Sequence, residues 1–158
     1  MPEKIQTVPA LAAILSGRRA RGERLVFTNG CFDLLHIGHT RYLQEARALG
    51  DCLIVGLNSD ASVRAIKPNG RPIVPQAQRA EVLAALACVD HVVLFDEPDP
   101  RALIESIQPD VLVKGGDWPM ERIVGRDIVQ ARGGRVVTIP LTPDVSTTTL
   151  MQRILNRT

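Results

Sequence analysis

Short apolar runs alternate along this chain with amphipathic helical ones, and that alternation is what most limits its fold. The runs from Arg24 to Thr28, Cys52 to Leu57, His91 to Phe95, Val111 to Val113 and Arg135 to Ile139 read as buried strands. Helical patterns fall between them, near Gly38 to Leu49, Ala77 to Cys88, Pro100 to Ile107 and Glu121 to Ala131, and a last helix starts around Ser146. Asp99 before Pro100 is a good helix start, because proline is pre-set for the first helical position. Gly133-Gly134 stops the fourth of these helices. A short helix around Thr7 to Leu15 precedes the first strand. Right-handed crossovers between parallel strands then give an α/β fold, a doubly wound sheet of five strands.

The 158 residues suit a single domain over 1–158 with its core at 24–157, enough to bury roughly two-thirds of the unfolded surface. A net charge of +2 is too small to argue for nucleic acid or an anionic membrane, and 3% aromatics speak against a base-stacking surface. The start, Met1-Pro2-Glu3-Lys4, lacks a signal pattern, and no apolar run approaches spanning length, so no membrane partner and a cytoplasmic location are expected. The three cysteines lack metal-ligand spacing. Cys52 and Cys88 lie in apolar segments and read as small core residues.

In doubly wound sheets, ligands bind beyond the carboxyl ends of the strands, where strand order reverses. Thr28-Asn29-Gly30, Asn58-Ser59-Asp60, Lys114-Gly115-Gly116-Asp117 and Pro143 to Thr148 gather at that rim, and the opposite rim has nothing comparable. The most pointed segment is Gly30-Cys31-Phe32-Asp33-Leu34-Leu35-His36-Ile37-Gly38-His39, a turn that runs straight into a helix. Tyr42, Leu43, Ala46 and Leu49 share one face of that helix, and Gly50 stops it. His36 and His39 therefore sit at the positive end of a helix dipole, where imidazole donors and backbone N–H groups would converge on an anion. A side chain at Gly38 would block approach of a phosphate to the backbone. The stretch Lys67 to Pro75 holds three prolines and two cations, and a connection this long is often functional. Ser146 is a good N-cap for the last helix.

These segments resemble the cytidylyltransferase-like nucleotidyltransferases, a Rossmann-like superfamily with a His-x-Gly-His phosphate motif. The resemblance runs from Arg24 to Ile154 and includes Gly56 to Asp60, Arg79 to Leu83, Lys114 to Trp118 and Ser146-Thr147-Thr148, all in family order. Within the superfamily the chain is most similar to the heptose 1-phosphate adenylyltransferases of ADP-heptose synthesis. These often occur fused behind a sugar kinase domain, and the stand-alone form is the expectation for this chain. The resemblance implies transfer of AMP from ATP to D-glycero-D-manno-heptose 1-phosphate for lipopolysaccharide or related glycan synthesis. Mg²⁺ would ride on the substrate phosphates, with no protein metal site.

By the same resemblance His36, His39 and Lys67 would be catalytic, steadying the triphosphate and the charge of the transition state. Asn29, Gly30, Cys31, Phe32 and Gly38 would form the phosphate-approaching turn. Asp33 would order that turn and touch a metal-bound water, and Arg79 would bind a phosphate. Gly115 would let a purine ribose lie against the backbone, with Asp117 accepting its hydroxyl. Ser146, Thr147 and Thr148 would grip the β- and γ-phosphates. Trp118 reads as a cover for the core. Leu141 stands where cytidylyl-specific relatives carry an arginine, which favours the adenylyl reading over an alditol-phosphate cytidylyltransferase. The partners implied are small molecules, a nucleotide and a sugar phosphate, and self-association into a homo-oligomer. A Gly-x-Gly-x-x-Gly after the first strand and a Walker-type Gly-x-x-x-x-Gly-Lys-Ser/Thr are both missing, which argues against a dinucleotide oxidoreductase and a P-loop kinase. A nucleotide-sensing module without activity is the alternative from another class.

Overall fold

In the computed structural model, which describes residues 2–116 and 118–157, the chain alternates strand and helix almost throughout. A 3₁₀ turn, Pro2–Lys4, leads into β1 (Ile5–Gln6) and α1 (Val8–Ala20). The central run is β2 (Leu25–Gly30), α2 (Ile37–Arg47), β3 (Cys52–Asn58), α3 (Asp60–Ile66), α4 (Gln76–Ala85) and β4 (His91–Phe95). It continues through α5 (Arg101–Ile107), β5 (Val111–Gly115), α6 (Arg126–Ala131), β6 (Arg135–Ile139) and α7 (Thr147–Leu155). All pairings are parallel, in the order β1-β4-β3-β2-β5-β6. Strand order reverses at β2, which pairs with β3 from Leu25↔Cys52 to Gly30↔Leu57 and with β5 at Val26↔Val111. The crevice between the ends of β2 and β5 is thus the switch point.

Both faces of the sheet are covered, which is why its strands are continuously apolar rather than alternating. Phe27, Ile54 and Leu112 meet Leu11 and Leu15 of α1 and Ile104 of α5 on one face. Val26, Leu53 and Val113 meet Leu43 and Ala46 of α2 and Leu83 of α4 on the other.

The structure departs from the sequence reading in four places. The described residues form six strands rather than five, because two-residue β1 is too short to carry a periodicity and is held as an edge beside β4. Lys4 secures it from below, its Nζ donating to the carbonyls of Leu86 (3.1 Å) and Val89 (2.7 Å). Helix α1 runs on to Ala20, past Leu15, because Arg18 pairs with Glu23 (2.5 Å) and Arg19 reaches the carbonyls of Ile107 and Gln108. Helix α3 is additional; Ser59 caps it by accepting the Ser62 N–H (3.2 Å), with Asp60 in its first turn. The helix expected from Glu121 to Ala131 is broken into a 3₁₀ turn, Met120–Arg122, and α6, with Gly125 at φ 88° between them.

Candidate active site

The turn after β2 is shaped by its own rings. Phe32 takes φ 43° and turns its side chain inward, 5.4 Å from the His39 ring and across Gly30, where an added Cβ would lie 2.9 Å from the phenyl group. Asn29 and Gly30 end β2 just beneath it. His36 is the N-cap of α2, and His39 sits three residues on in its first turn. Each imidazole Nδ1 accepts a backbone N–H: His36 from Gly38 (3.1 Å), His39 from His36 (3.4 Å). With both Nδ1 atoms occupied as acceptors, the neutral rings carry their protons on Nε2. The rings stack at 3.9 Å and 26°.

That arrangement disfavours imidazolium. Burial, then the neighbouring His36 ring, lowers the pKa of His39 from 6.5 to about 4, and burial lowers that of His36. The pair therefore offers two neutral N–H donors at a helix N-terminus. The Gly38 N–H is occupied by His36. Gly38 also meets a second requirement, set by His36. A Cβ there would come within 2.9 Å of the His36 imidazole, so glycine makes room for the histidine itself.

Helix α2 is held at the switch point by Tyr42. Its hydroxyl lies 2.5 Å from Thr28 Oγ1 of β2 and donates to the carbonyl of Val113 of β5 (3.2 Å). Burial pushes this phenol up to about 12, so it stays protonated and joins the two strands at the point where the crevice opens.

Two expected ligand contacts have other partners. Asp33 accepts the N–H groups of Ile73 (2.9 Å) and Val74 (2.8 Å) and the Nε–H of Arg71 (2.7 Å). Burial works against its charge, but those backbone donors and the guanidinium outweigh it and hold the carboxyl below the usual range. Its oxygens are committed to the loop rather than to a metal-bound water. Arg79, expected to bind a phosphate, has a fully buried side chain. It donates to the carbonyls of Val74 (2.9 Å), Cys31 (2.6 Å) and Asn58 (2.9 Å) and to Asp60 Oδ1 (2.8 Å). It therefore ties the ends of β2 and β3 to the loop, a structural contact in place of the expected ligand contact.

Lys67 caps the end of α3 and is exposed. The loop it opens is pinned at Arg71, Ile73 and Val74 by Asp33, which leaves residues 67–70 as its outward tip. Burial raises the Cys31 thiol pKa against the opposing charges of Lys67, Arg79 and Arg71, so Cys31 is a neutral thiol and not a nucleophile. At α7, Ser146 Oγ caps the helix by accepting the Thr149 N–H (3.0 Å), Thr147 Oγ1 donates to the Leu34 carbonyl (3.1 Å), and Thr148 is exposed. The Thr147 contact brings the start of α7 against the turn that carries the histidines. Gly115 ends β5 beside Tyr42 and Leu141. Asp117 lies outside the described residues. Trp118, expected to cover the core, is 51% exposed.

Sequence reasoning placed Lys114 at this rim but gave it no role of its own. Lys114 of β5 is half-buried, with Nζ 5.9 Å from the Trp118 ring centroid. Its signal in the sequence was a cation inside an apolar strand run, directly before two glycines.

A cavity of about 570 Å³ lies behind the turn, bounded by Phe32, Leu35, Val82, Leu150 and Ile154. Neither histidine, Lys67 nor Lys114 lines it. Among the described residues no group of three or more His, Cys, Asp or Glu could hold a metal ion, and no helix is long and apolar enough to cross a membrane.

Comparison with known proteins gives concordant matches. Residues 27–153 match the Cytidylyltransferase-like family model. The chain is 57% identical over 151 residues to the Bifunctional protein HldE of Geotalea uraniireducens and 56% identical over 152 residues to that of Nitrobacter hamburgensis. Each alignment covers 96% of this chain and 31% of the relative, so the chain spans about a third of these curated proteins. Among solved structures, a lipopolysaccharide core biosynthesis protein from Thermoplasma volcanium superposes with TM-score 0.62 at 30% identity, covering 77% of this chain and 98% of that one. A pantoate-beta-alanine ligase from Francisella tularensis superposes with TM-score 0.60 at 14% identity, covering 96% of this chain and 78% of that one, a likeness of fold alone.

Proposed function

The chain belongs to the cytidylyltransferase-like family of nucleotidyltransferases, and we propose that it transfers AMP from ATP to D-glycero-D-manno-heptose 1-phosphate, giving ADP-heptose and pyrophosphate. The observation that carries this reading is the stacked His36–His39 pair at the start of α2, in which each Nδ1 accepts a backbone N–H and leaves Nε2 to carry the ring proton. High identity to HldE proteins and the likeness to a lipopolysaccharide core biosynthesis protein support the choice of acceptor.

An acceptor phosphate oxygen attacks the α-phosphorus in line; the new P–O bond forms as the bond to the β-phosphate bridge breaks, and pyrophosphate leaves. The attacking phosphate is already largely a dianion near neutral pH, since its second pKa is about 6, so no general base is needed. The neutral imidazoles fit this task, donating to phosphoryl oxygens as charge shifts. Lys67, at the exposed tip of its loop, neutralises the triphosphate, and the open first turn of α7, with Thr148, receives its outer phosphates. Asp117 accepts a ribose hydroxyl. Mg²⁺ would ride on the substrate phosphates and neutralise their charge, while Asp33 keeps its oxygens on Arg71, Ile73 and Val74. Leu141, 70% exposed beside Gly115 and Gly116, gives a purine an apolar wall where an arginine would favour cytosine.

Pyrophosphate release with Mg²⁺ tests this, crossing ATP, CTP and GTP with heptose 1-phosphate and glycerol 3-phosphate. Release with ATP and the heptose alone is expected. Release with CTP and glycerol 3-phosphate would replace the substrates, and nucleotide binding without release in any pairing would favour a sensor.

A further inference from the structure

The cations taken out of solvent at this rim differ in one respect. Arg71 is paired with Asp33, and Arg79 with Asp60 and three carbonyls. Among the described residues Lys114 pairs with no carboxylate and no carbonyl; it lies 5.9 Å from the Trp118 ring, itself half open to solvent, and near the Cys31 thiol. Placing an ammonium in a half-buried site without an anion costs stability, and burial lowers its pKa accordingly. The Cys31 thiol is the group that could offset it, and burial keeps that thiol neutral. The position is also particular. Lys114 lies one residue before the end of β5, beside the β2 turn, and both Lys114 and Lys67 interact electrostatically with Cys31. Two cations thus flank the turn, one on an exposed loop tip and one fixed on a strand.

A reaction that joins two phosphates must bring two strongly repelling anions together. The triphosphate already has Lys67, the imidazoles and the start of α7 in the proposed mechanism. We propose that Lys114 is the fixed cation that receives the phosphate of the incoming acceptor and aims its oxygen at the α-phosphorus. This rests on the reading of the site as a sugar-phosphate nucleotidyltransferase and adds the group that recruits its second substrate. A strand-borne ammonium suits that role, because in-line attack needs a positioned nucleophile, whereas the leaving pyrophosphate must be let go.

The test is calorimetric titration of inorganic phosphate, then of heptose 1-phosphate, into protein saturated with α,β-methylene ATP, for wild type, Lys114→Met and Lys114→Arg. Lys114→Met is expected to weaken both acceptor-side anions roughly 10- to 100-fold, as loss of one charge-assisted hydrogen bond does, and to raise the acceptor KM alike. Binding of the ATP analogue should stay within about twofold, Lys114→Arg should recover most of the loss, and the melting temperature should equal or exceed wild type because an uncompensated charge is gone. Unchanged phosphate affinity, a loss confined to the ATP analogue, or a lowered melting temperature would each overturn the assignment. If wild type bound no ATP analogue, the nucleotidyltransferase reading itself would fail, and phosphate titration of the free protein would still show whether Lys114 holds an anion.

Discussion

His39→Ala and His36→Ala each lower turnover roughly 100- to 1000-fold, the effect of losing one preorganised donor at a developing charge, or about 3–4 kcal/mol. The cause is geometric. Each ring presents Nε2–H only because its Nδ1 is held by a backbone N–H, and the two rings hold one another by stacking at 3.9 Å. Loss of the His36 cap also costs about 1 kcal/mol of stability, so folding survives while catalysis does not. Steady-state kinetics on each variant, alongside its thermal melt, separates the two effects. Turnover within about threefold of wild type, under ~1 kcal/mol, would remove both histidines from the mechanism.

Arg79→Met destabilises the protein by about 3–5 kcal/mol, a large part of the total stability of a domain this size. Methionine keeps much of the volume of a fully buried side chain but none of its four bonds. The carbonyls of Cys31, Asn58 and Val74 are then left without their donor, and Asp60 without its cation. The melting temperature should fall roughly 6–20 °C, and Arg79→Lys should not restore it, because an ammonium cannot span the four acceptors. A shift under about 2 °C would mean that the strand ends are held in register by something else. Activity falls with stability here, since the same side chain joins the catalytic turn to the Lys67 loop.

The turn that carries His36 and His39 was legible in the sequence as a strand-to-helix connection because its information is local. A strand, a glycine, two histidines three apart and an amphipathic helix all lie within Leu25 to Leu49, and the structure keeps them in that order. What escaped was decided at a distance. Arg79 reads as a phosphate ligand until the chain folds and brings Cys31, Asn58, Asp60 and Val74 around it, the first 48 residues away. Asp33 reads as a turn residue with a free carboxylate until Ile73 and Val74 supply their N–H groups. Lys114 gave a signal only as a cation in an apolar run, and its isolation depends on what β2 and β6 place beside β5. Strand β1 and helix α3 were too short for any periodicity, and β1 exists because β4 offers it an edge.

The account depends most on the histidines being neutral, with their protons on Nε2. Because the folded-state pKa of His39, about 4, lies below its ordinary 6.5, the fold favours the unprotonated ring. That contribution is complete above pH 6.5 and is lost as pH falls from 6.5 towards 4. His36 is shifted in the same direction, as is His91, a buried ring on β4 whose nitrogens have no partner among the described residues. Nitrogen-15 NMR of the imidazoles across pH 3.5 to 8 reads tautomer and pKa together. The expected result for His39 is an Nε2–H tautomer at neutral pH and a midpoint at about 4. A proton on Nδ1 of the neutral ring would turn the donor away from the ligand, and the proposed charge stabilisation would fail; a midpoint at or above 6.5 would contradict the buried, neutral pair.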